Sequence, residues 1–257
     1  VDKKDFGDHH EAMYNTAMVG TVECDAVPVI EPFKVRIITK GEGGVYYETK
    51  ILQTFLTSRL KNCSIKHFFP AIDKDVDADV INETFSHAID SFKEFDPASE
   101  LYFLSGDYKG ATDTLRDWVS RYCIRAIMNR LPAYQMSRLG ELMEHSLCDH
   151  YINYDFDKEM KIRMMQEGVP KELMDKFPFS VRQSRGQLMG SFLSFPILNI
   201  VNLAINLAYL ERSGIAEAAP ELPWTKWPVI VNGDDVLACF TRNIFQDDWT
   251  RWVYKTA

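Results

Sequence analysis

Short runs that alternate hydrophobic and polar residues, as strands do, are separated along this chain by longer segments of helical period. The stretch KVRIITKG alternates with a period of two, which predicts a strand with Lys34, Arg36 and Lys40 on one basic face. A solvated edge strand guarded by lysines would give the same pattern. Residues 46–60 predict a helix, and the segment that ends in SFKEFDP predicts an acidic amphipathic helix.

The segment ELYFLSGDYKGATDTLRDWVSRYCIRAIMNRLP predicts a buried strand, a loop and one long helix that stops at Pro132. Asp107 ends the predicted strand, and Asp113 stands at the start of the predicted helix. A carboxylate at a helix N-terminus is a common cap, so capping alone would account for Asp113. It does not account for Asp107.

The segment SVRQSRGQLMGSFLSFPILNIVNLAINLAYLERSG predicts a basic strand, a Gly/Ser turn and an apolar helix that begins at Ser194 and ends before Gly214. Asn199, Asn202 and Asn206 recur at helical spacing, so they share one face of that helix. Buried amides need hydrogen-bond partners. Two interpretations stay open: satisfied core amides, or a polar stripe that faces a ligand.

The stretch PVIVNGDDVLACF predicts a β-hairpin, because Asn-Gly between two apolar runs is a strong turn signal. Asp234 and Asp235 then project from the turn. Aspartate is a common turn residue. Clustered carboxylates are also the ligands that Mg²⁺ prefers, together with substrate phosphates.

Composition narrows the class of protein. The 257 residues are 46% hydrophobic, enough for a real core, and the net charge of -8 argues against a nucleic-acid coat or chromatin-type binder. Five cysteines without paired spacing, and no signal peptide, favour a reducing intracellular compartment. The apolar run FPILNIVNLAINLAYL is short and carries three asparagines, so we expect no membrane span. The chain begins without Met and stops inside a predicted helix, so we expect a part of a larger protein.

The order of these elements predicts an α/β (α+β) fold in which an antiparallel sheet is backed by helices. In the split βαβ arrangement, the strand that ends at Asp107 lies beside the hairpin that carries Asp234. Three carboxylates would then converge.

Four motifs resemble those of viral RNA-dependent RNA polymerases. The chain resembles most closely the polymerases of the ourmia-like (botourmiavirus) group, and those of narnaviruses and leviviruses are more distantly similar. The motifs are KVRIITKG, SGDYKGATDTL, RGQLMGSFLSFP and NGDD, in the family's order. The resemblance spans about residues 31–245 and implies a right-hand polymerase palm with fingers elements and no thumb. It implies fingers over residues 1–100, palm over 101–133, a fingers or palm insertion over 134–180, and palm over 181–257.

The resemblance also implies an RNA-directed RNA polymerase that copies a viral genome from ribonucleoside triphosphates in the host cytoplasm, with an RNA template and nascent RNA strand as partners. Asp107 and Asp234 would hold two Mg²⁺ ions, with Mn²⁺ as a possible substitute and Asp235 in support. The nucleotide-binding residues that it implies are Lys34, Arg36, Lys40, Asp113, Ser191, Ser194, Asn199 and Asn202.

The chain departs from the family at three places. Lys109-Gly110 stands where relatives tend to carry Ser-Ala, and Phe192-Leu193 where Pro-Thr is usual. Leu198 occupies the position of the ribose-contacting Asn of other groups, so Asn199 or Asn202 would take that role. Two alternatives stay open. A reverse transcriptase would carry an aromatic gate near Thr112-Asp113, and a metal-free binding domain would use every acid as a turn or a cap.

Overall fold

The protein is described by a computed structural model that covers residues 11, 15, 23–32, 34–62, 78–98, 100–108, 110–130, 133–241 and 246–256. The strands in these residues are β1 (Glu23–Glu31), β2 (Lys34–Gly41), β3 (Tyr102–Asp107), β4 (Tyr151–Tyr154), β5 (Phe179–Arg182), β6 (Val229–Asn232) and β7 (Asp235–Phe240). The helices are α1 (Gly43–Asn62), α2 (Ala78–Phe95), α3 (Ala111–Thr114), α4 (Asp117–Met128), α5 (Ala133–Leu147), α6 (Lys158–Gln166), α7 (Lys171–Met174), α8 (Ser194–Arg212), α9 (Ile215–Ala218) and α10 (Gln246–Thr256), with a 3₁₀ turn at Trp224–Lys226.

The chain forms two compact units, each made of two separate segments. The first unit comprises Val1–Gln53 and Leu115–Ser194, and the second comprises Thr54–Thr114 and Phe195–Ala257. The assignment of fingers and palm to particular stretches of chain stays a prediction.

The first unit contains a four-stranded sheet with the order β2-β1-β4-β5. The predicted basic strand is β2, which pairs antiparallel with β1 along its whole length. β1 was not predicted from the sequence, because Pro28 interrupts a strand pattern. The proline is tolerated because β4 pairs with β1 only from Glu23 to Asp25, so Pro28 lies where β1 has one neighbour among the described strands.

The second unit contains an antiparallel sheet with the order β3-β7-β6. The predicted hairpin is formed by β6 and β7, which are joined by the two residues Gly233 and Asp234. The predicted α+β architecture, an antiparallel sheet with helices packed on it, is confirmed. β3 is less buried than we expected: among the described strands it pairs with β7 alone, and its Phe103 is 59% exposed.

Helix residues pack with the hairpin in two clusters. In the first, Val229, Val231 and Val236 pack with residues of α8 and α2 that include Leu203, Tyr209, Leu210, Ala88 and Phe92. In the second, Ile230 and Cys239 pack against Phe85 of α2. Burying an aliphatic or aromatic side chain of this size contributes about 1.5–3 kcal/mol, so the hairpin is a central part of this unit's core.

The long helix predicted after Asp113 is two helices, α3 and α4, separated at Leu115 and Arg116. The Leu115 carbonyl accepts a 2.6 Å hydrogen bond from the Gly186 amide, so a residue distant in sequence takes the place of a helical partner. The Leu115 side chain is also 4% exposed. A tertiary contact of this kind leaves no mark in the hydrophobic period.

Helix α8 begins at Ser194 as predicted, and Gly214, in the left-handed region at φ 86°, follows its end. Of the helices in the described residues, α8 alone is long and apolar enough to span a bilayer by length and composition. Its apolar window is 67% buried within the protein, which is typical of a core helix.

Candidate active site

The two strands that carry the predicted acids are hydrogen-bonded neighbours. Asp107, the last residue of β3, is the register partner of Asp235, the first residue of β7. Directly opposed residues of an antiparallel pair have Cα atoms about 4.5–5.5 Å apart and side chains on the same face. Asp234 lies one position away, in the turn before β7. The structure therefore brings the three predicted acids of the second unit together.

The carboxylates repel one another. Asp107 and Asp235 are exposed and Asp234 is half-buried. The pKa of the Asp235 carboxyl is raised, by partial burial first and then by the negative charges of Asp234 and Asp107. A bound cation would relieve this repulsion.

The carboxylates are not a ready-made metal cage. Within the described residues, no group of three or more His, Cys, Asp or Glu side chains is arranged to hold a metal ion. The site does supply three carboxylates at neighbouring backbone positions, and carboxylates are the donor groups that Mg²⁺ prefers. Their oxygens are not gathered around one point.

The turn between β6 and β7 depends on Gly233. Its φ is +65°, a region that side chains disfavour, and glycine at the first central position is typical of a two-residue hairpin turn. A Cβ at this residue would lie 3.1 Å from the Phe195 ring. The turn positions are Gly233 and Asp234, one residue later than the predicted Asn-Gly, because Asn232 is still paired in β6.

The asparagine stripe of α8 faces the hairpin. The Asn199 Oδ1 accepts a 2.9 Å hydrogen bond from the Gly233 amide. The Asn202 Nδ2 donates to the Gly233 and Asp235 carbonyls at 2.8 and 3.2 Å. The Asn202 Oδ1 accepts from the Tyr108 hydroxyl at 2.9 Å and from the Asn206 Nδ2 at 2.7 Å. These four bonds use the full hydrogen-bonding capacity of the Asn202 amide.

This geometry favours the first of the two interpretations that the sequence left open, satisfied core amides. Asn202 is 2% exposed and has no donor or acceptor left for a ribose. Asn199 is 6% exposed, and its amide also donates to the Phe195 carbonyl of its own helix. A ribose contact by Asn202 would require its hydrogen bonds to the hairpin to break. Of these two asparagines, only Asn199 therefore keeps hydrogen-bonding capacity for the predicted ribose contact.

Three residues of this site were not among the predicted site residues. Tyr108 follows Asp107 and stacks on Trp249 of α10, with ring centroids 5.6 Å apart and 16° between the planes. Asn206 joins them, because its Nδ2 donates to the Tyr108 hydroxyl and its Oδ1 accepts from the Trp249 indole. The spacing of Asn206 with Asn202 was visible in the sequence, but no local pattern connects Trp249 to the hairpin.

Asp113 is not the cap of a long helix. It is the third residue of the four-residue helix α3, and it is exposed. Helix α4 begins after Arg116, which makes no side-chain cap hydrogen bond. The capping interpretation of Asp113 therefore has no long helix to act on, and a role toward a ligand stays a prediction.

The basic strand and the Gly/Ser turn meet in the first unit. The Gly190 amide donates a 3.1 Å hydrogen bond to the Thr39 Oγ1, and a Cβ on Gly190 would lie 1.6 Å from the Thr39 carbonyl oxygen. Only glycine allows the turn to come this close. Arg36 and Lys40 are both exposed on β2, and Lys34 is the first residue of that strand. The turn that carries Ser191 therefore lies beside the basic strand.

The two predicted serines differ in exposure. Ser191 is half-buried, and its Oγ accepts from the Leu193 amide at 3.4 Å. Ser194 is 4% exposed, and its hydroxyl donates to the Gln187 Oε1, whose Nε2 in turn donates to the Ser120 Oγ. Ser194 is thus part of a buried polar chain, and Ser191 is the more accessible of the two.

No family model matches the chain. It is 32% identical over 241 residues to the RNA-dependent RNA polymerase of Ourmia melon virus (isolate Melon/Iran/VE9), a match that covers 90% of this chain and 24% of the relative. The chain therefore spans about a quarter of the length of this curated relative. The match confirms the resemblance that the four motifs indicated.

Solved structures show the same fold at low identity. The Sicinivirus 3Dpol RNA-dependent RNA polymerase matches with a TM-score of 0.54 and 12% identity, over 96% of this chain and 46% of that one. An apo telomerase from Candida tropicalis, truncated from its C-terminal domain, matches with a TM-score of 0.51 and 10% identity, over 98% of this chain and 51% of that one. These matches confirm the predicted right-hand polymerase fold.

Proposed function

We propose that this chain is the fingers-and-palm part of a viral RNA-directed RNA polymerase and that its second unit carries the site of nucleotidyl transfer. One observation carries the proposal: Asp107 faces Asp235 across β3 and β7, and Asp234 stands in the adjoining turn. This arrangement lies in a chain 32% identical to a viral RNA-dependent RNA polymerase over 90% of its length. Neither fold nor identity alone would name the reacting groups.

Asp107 and Asp234 would hold the divalent cations, with Asp235 as a supporting ligand. The residues fit on donor chemistry, because three carboxylates lie at neighbouring positions of β3, the turn and β7. The pKa of Asp235 is raised, first by partial burial and then by the negative charges of Asp234 and Asp107. Bound Mg²⁺, or Mn²⁺ in its place, would activate the 3′-hydroxyl of the nascent strand and neutralise charge on the triphosphate. The protein's own contribution is to fix three carboxylates on one rigid hairpin and its neighbouring strand.

The basic strand β2 would bind the triphosphate of the incoming nucleotide. Arg36 and Lys40 are exposed, and the Ser191 turn packs against the same strand through Gly190 and Thr39. Cationic side chains and hydroxyls contact phosphate without reading the base, so all four nucleotides would be bound alike. Lys34, the first residue of β2, belongs to the same predicted set. Ser194 is a weaker member, because its hydroxyl already donates to the Gln187 Oε1.

Asp113 would contribute to the selection of ribonucleotides, with Asn199 as the second candidate. Asp113 is exposed, and the 2′-hydroxyl that distinguishes RNA from DNA is both a donor and an acceptor. Thr112 and Asp113 are small and polar, whereas a reverse transcriptase is expected to place an aromatic gate at this position. The telomerase match shows that the fold alone does not choose between polymerase classes.

Primer extension on an RNA template tests this proposal directly. The protein that carries this chain should incorporate ribonucleotides and discriminate against deoxyribonucleotides, and EDTA should abolish the reaction. Preferred incorporation of deoxyribonucleotides would identify a reverse transcriptase instead. A protein that binds RNA without Mg²⁺-dependent incorporation would be a non-catalytic binding domain. We also place this reaction in the host cytoplasm, which fractionation of infected cells would test.

A further inference from the structure

Trp249 of α10 begins a chain of side-chain hydrogen bonds that ends at the acidic turn. An indole N–H can only donate, and the Trp249 Nε1 donates to the Asn206 Oδ1 at 2.9 Å. This bond fixes which end of the Asn206 amide is oxygen, because the opposite orientation would place two donors face to face. The Asn206 Nδ2 must therefore point toward Asn202.

The second link passes this orientation to the hairpin. The Asn206 Nδ2 donates to the Asn202 Oδ1 at 2.7 Å, so the Asn202 Nδ2 is turned toward the acidic turn. It donates there to the carbonyls of Gly233 and Asp235, the residues on either side of Asp234. One donor-only indole thus determines the orientation of two amides and the hydrogen bonds that hold the Asp234 backbone.

The same residues also hold the strand of Asp107. The Tyr108 hydroxyl donates to the Asn202 Oδ1 at 2.9 Å. The Tyr108 ring stacks on Trp249. On the other side of Asp107, a Cβ on Gly106 would lie 2.5 Å from the Trp249 ring. Both sequence neighbours of Asp107 therefore contact Trp249.

We propose that Trp249, Asn206, Asn202 and Tyr108 are positioning residues that set the spacing between the Asp107 carboxylate and the carboxylates of Asp234 and Asp235. We call this set the amide relay. It touches neither nucleotide nor cation, and it acts by holding the two backbone segments that carry the acids. The inference rests on the proposed function. Cation sites tolerate only small displacements of their ligands, so a loosened relay weakens cation binding before it unfolds the protein.

Trp252 provides a matched control on the same helix. Its indole Nε1 also donates to α8, but to the backbone carbonyl of Ile205 at 3.1 Å and not to an asparagine side chain of the relay. Trp249→Phe and Trp252→Phe each keep an aromatic ring and remove one indole N–H. If both indoles only stabilise the fold, the two substitutions should change Mn²⁺ affinity and kcat equally.

The experiment measures Mn²⁺ affinity by electron paramagnetic resonance without nucleotide or RNA, thermal unfolding in EDTA, and single-nucleotide incorporation. Trp249→Phe should weaken Mn²⁺ binding and lower kcat by about threefold to tenfold each, with the nucleotide KM little changed, because one hydrogen bond is lost and β2 is untouched. Trp252→Phe should leave Mn²⁺ affinity and kcat near wild type. Tyr108→Phe, which keeps the stacked ring, should resemble Trp249→Phe.

Three outcomes decide the inference. Selective loss in Trp249→Phe and Tyr108→Phe, at an unfolding temperature no lower than that of Trp252→Phe, supports the relay. An equal loss of Mn²⁺ affinity and kcat in all three variants overturns the relay. A loss of stability without a loss of Mn²⁺ affinity also overturns it. In both cases an active wild-type protein still supports the proposed function. A wild-type protein that neither binds Mn²⁺ nor incorporates nucleotides overturns both.

Discussion

The Asn202 side chain donates a 2.8 Å hydrogen bond to the Gly233 carbonyl, so a buried amide of α8 holds the turn that carries Asp234. The turn is thereby held from the α8 side by Asn202, which is 2% exposed. The asparagine stripe of α8 therefore holds the backbone that carries the acids. Its effect on the acids and the recognition of the sugar need separate measurements.

Asp113 and Asn202 should separate sugar selection from hairpin positioning. Asp113→Ala should reduce the preference for ribonucleotides over deoxyribonucleotides by about one to two orders of magnitude, since a hydrogen bond to a charged group is lost. Asn202→Ala should lower kcat for both sugars and leave their ratio unchanged, because its amide is fully used by the hairpin. Competition assays with paired ribo- and deoxyribonucleotides measure the ratio.

Asn199→Ala serves as the third arm of that assay. If it alone shifts the ratio, the ribose contact belongs to Asn199, the amide with spare hydrogen-bonding capacity. If none of the three variants shifts it, the sugar is recognised outside these residues.

Arg36→Ala should raise the apparent KM for all four nucleotides by about tenfold with little change in kcat, because a phosphate contact carries no base information. Lys40→Ala should show a weaker form of the same defect. Lys171→Ala removes an exposed cation from α7 of the same unit and should leave KM unchanged. A KM increase confined to one nucleotide would mean that Arg36 contacts a base.

Gly190→Ala tests the contact between the Gly/Ser turn and β2 without any assumption about function. A Cβ there would meet the Thr39 backbone oxygen at 1.6 Å, so the turn must move away, at a cost of about 1–3 kcal/mol of unfolding free energy or more. Gly43→Ala, where a Cβ meets nothing within 4 Å, should be neutral or slightly stabilising. Chemical denaturation measures both, and equal stability would refute the close approach.

The sequence predicted the hairpin, β2 and α8 because each depends on local signals: an Asn-Gly turn, a period of two, and a Ser start with a Gly stop. It misplaced the turn by one residue, and it joined α3 to α4 because the Gly186 bond to Leu115 is long-range. It did not predict β1, because a proline argues against a strand. Pro28 is tolerated there because β4 pairs with β1 only from Glu23 to Asp25. Trp249 could not be connected to Asp107 from sequence, since only the tertiary fold brings α10 to β3.

Asp235 should make stability depend on pH in a defined direction. Because its pKa is raised in the folded protein, the folded state holds this proton more tightly than the unfolded chain, and ionisation therefore destabilises the fold. In EDTA, Asp235→Asn should unfold at a higher temperature than wild type near pH 7, and the difference should vanish as pH falls toward the unfolded pKa of about 3.9. Thermal unfolding between pH 4 and 7.5 measures this.

Mg²⁺ should narrow or reverse the difference between Asp235→Asn and wild type, because a cation relieves the repulsion that destabilises the wild type. Asp90→Asn, an exposed acid on α2, should show neither effect. A wild type that is more stable than Asp235→Asn in EDTA at neutral pH would contradict the assigned repulsion.

In the proposed function, Asp107 and Asp234 are the acids of a nucleotidyl-transfer site. The most direct test of this assignment is single-ribonucleotide incorporation by wild type, Asp107→Asn, Asp234→Asn and Asp90→Asn in the protein that carries this chain, with equal folding verified by circular dichroism. Loss of a cation ligand costs several kcal/mol of transition-state stabilisation, so either active-site variant should lose about a thousandfold or more in rate, while Asp90→Asn stays near wild type. Incorporation by Asp107→Asn or Asp234→Asn within tenfold of the wild-type rate would contradict the account.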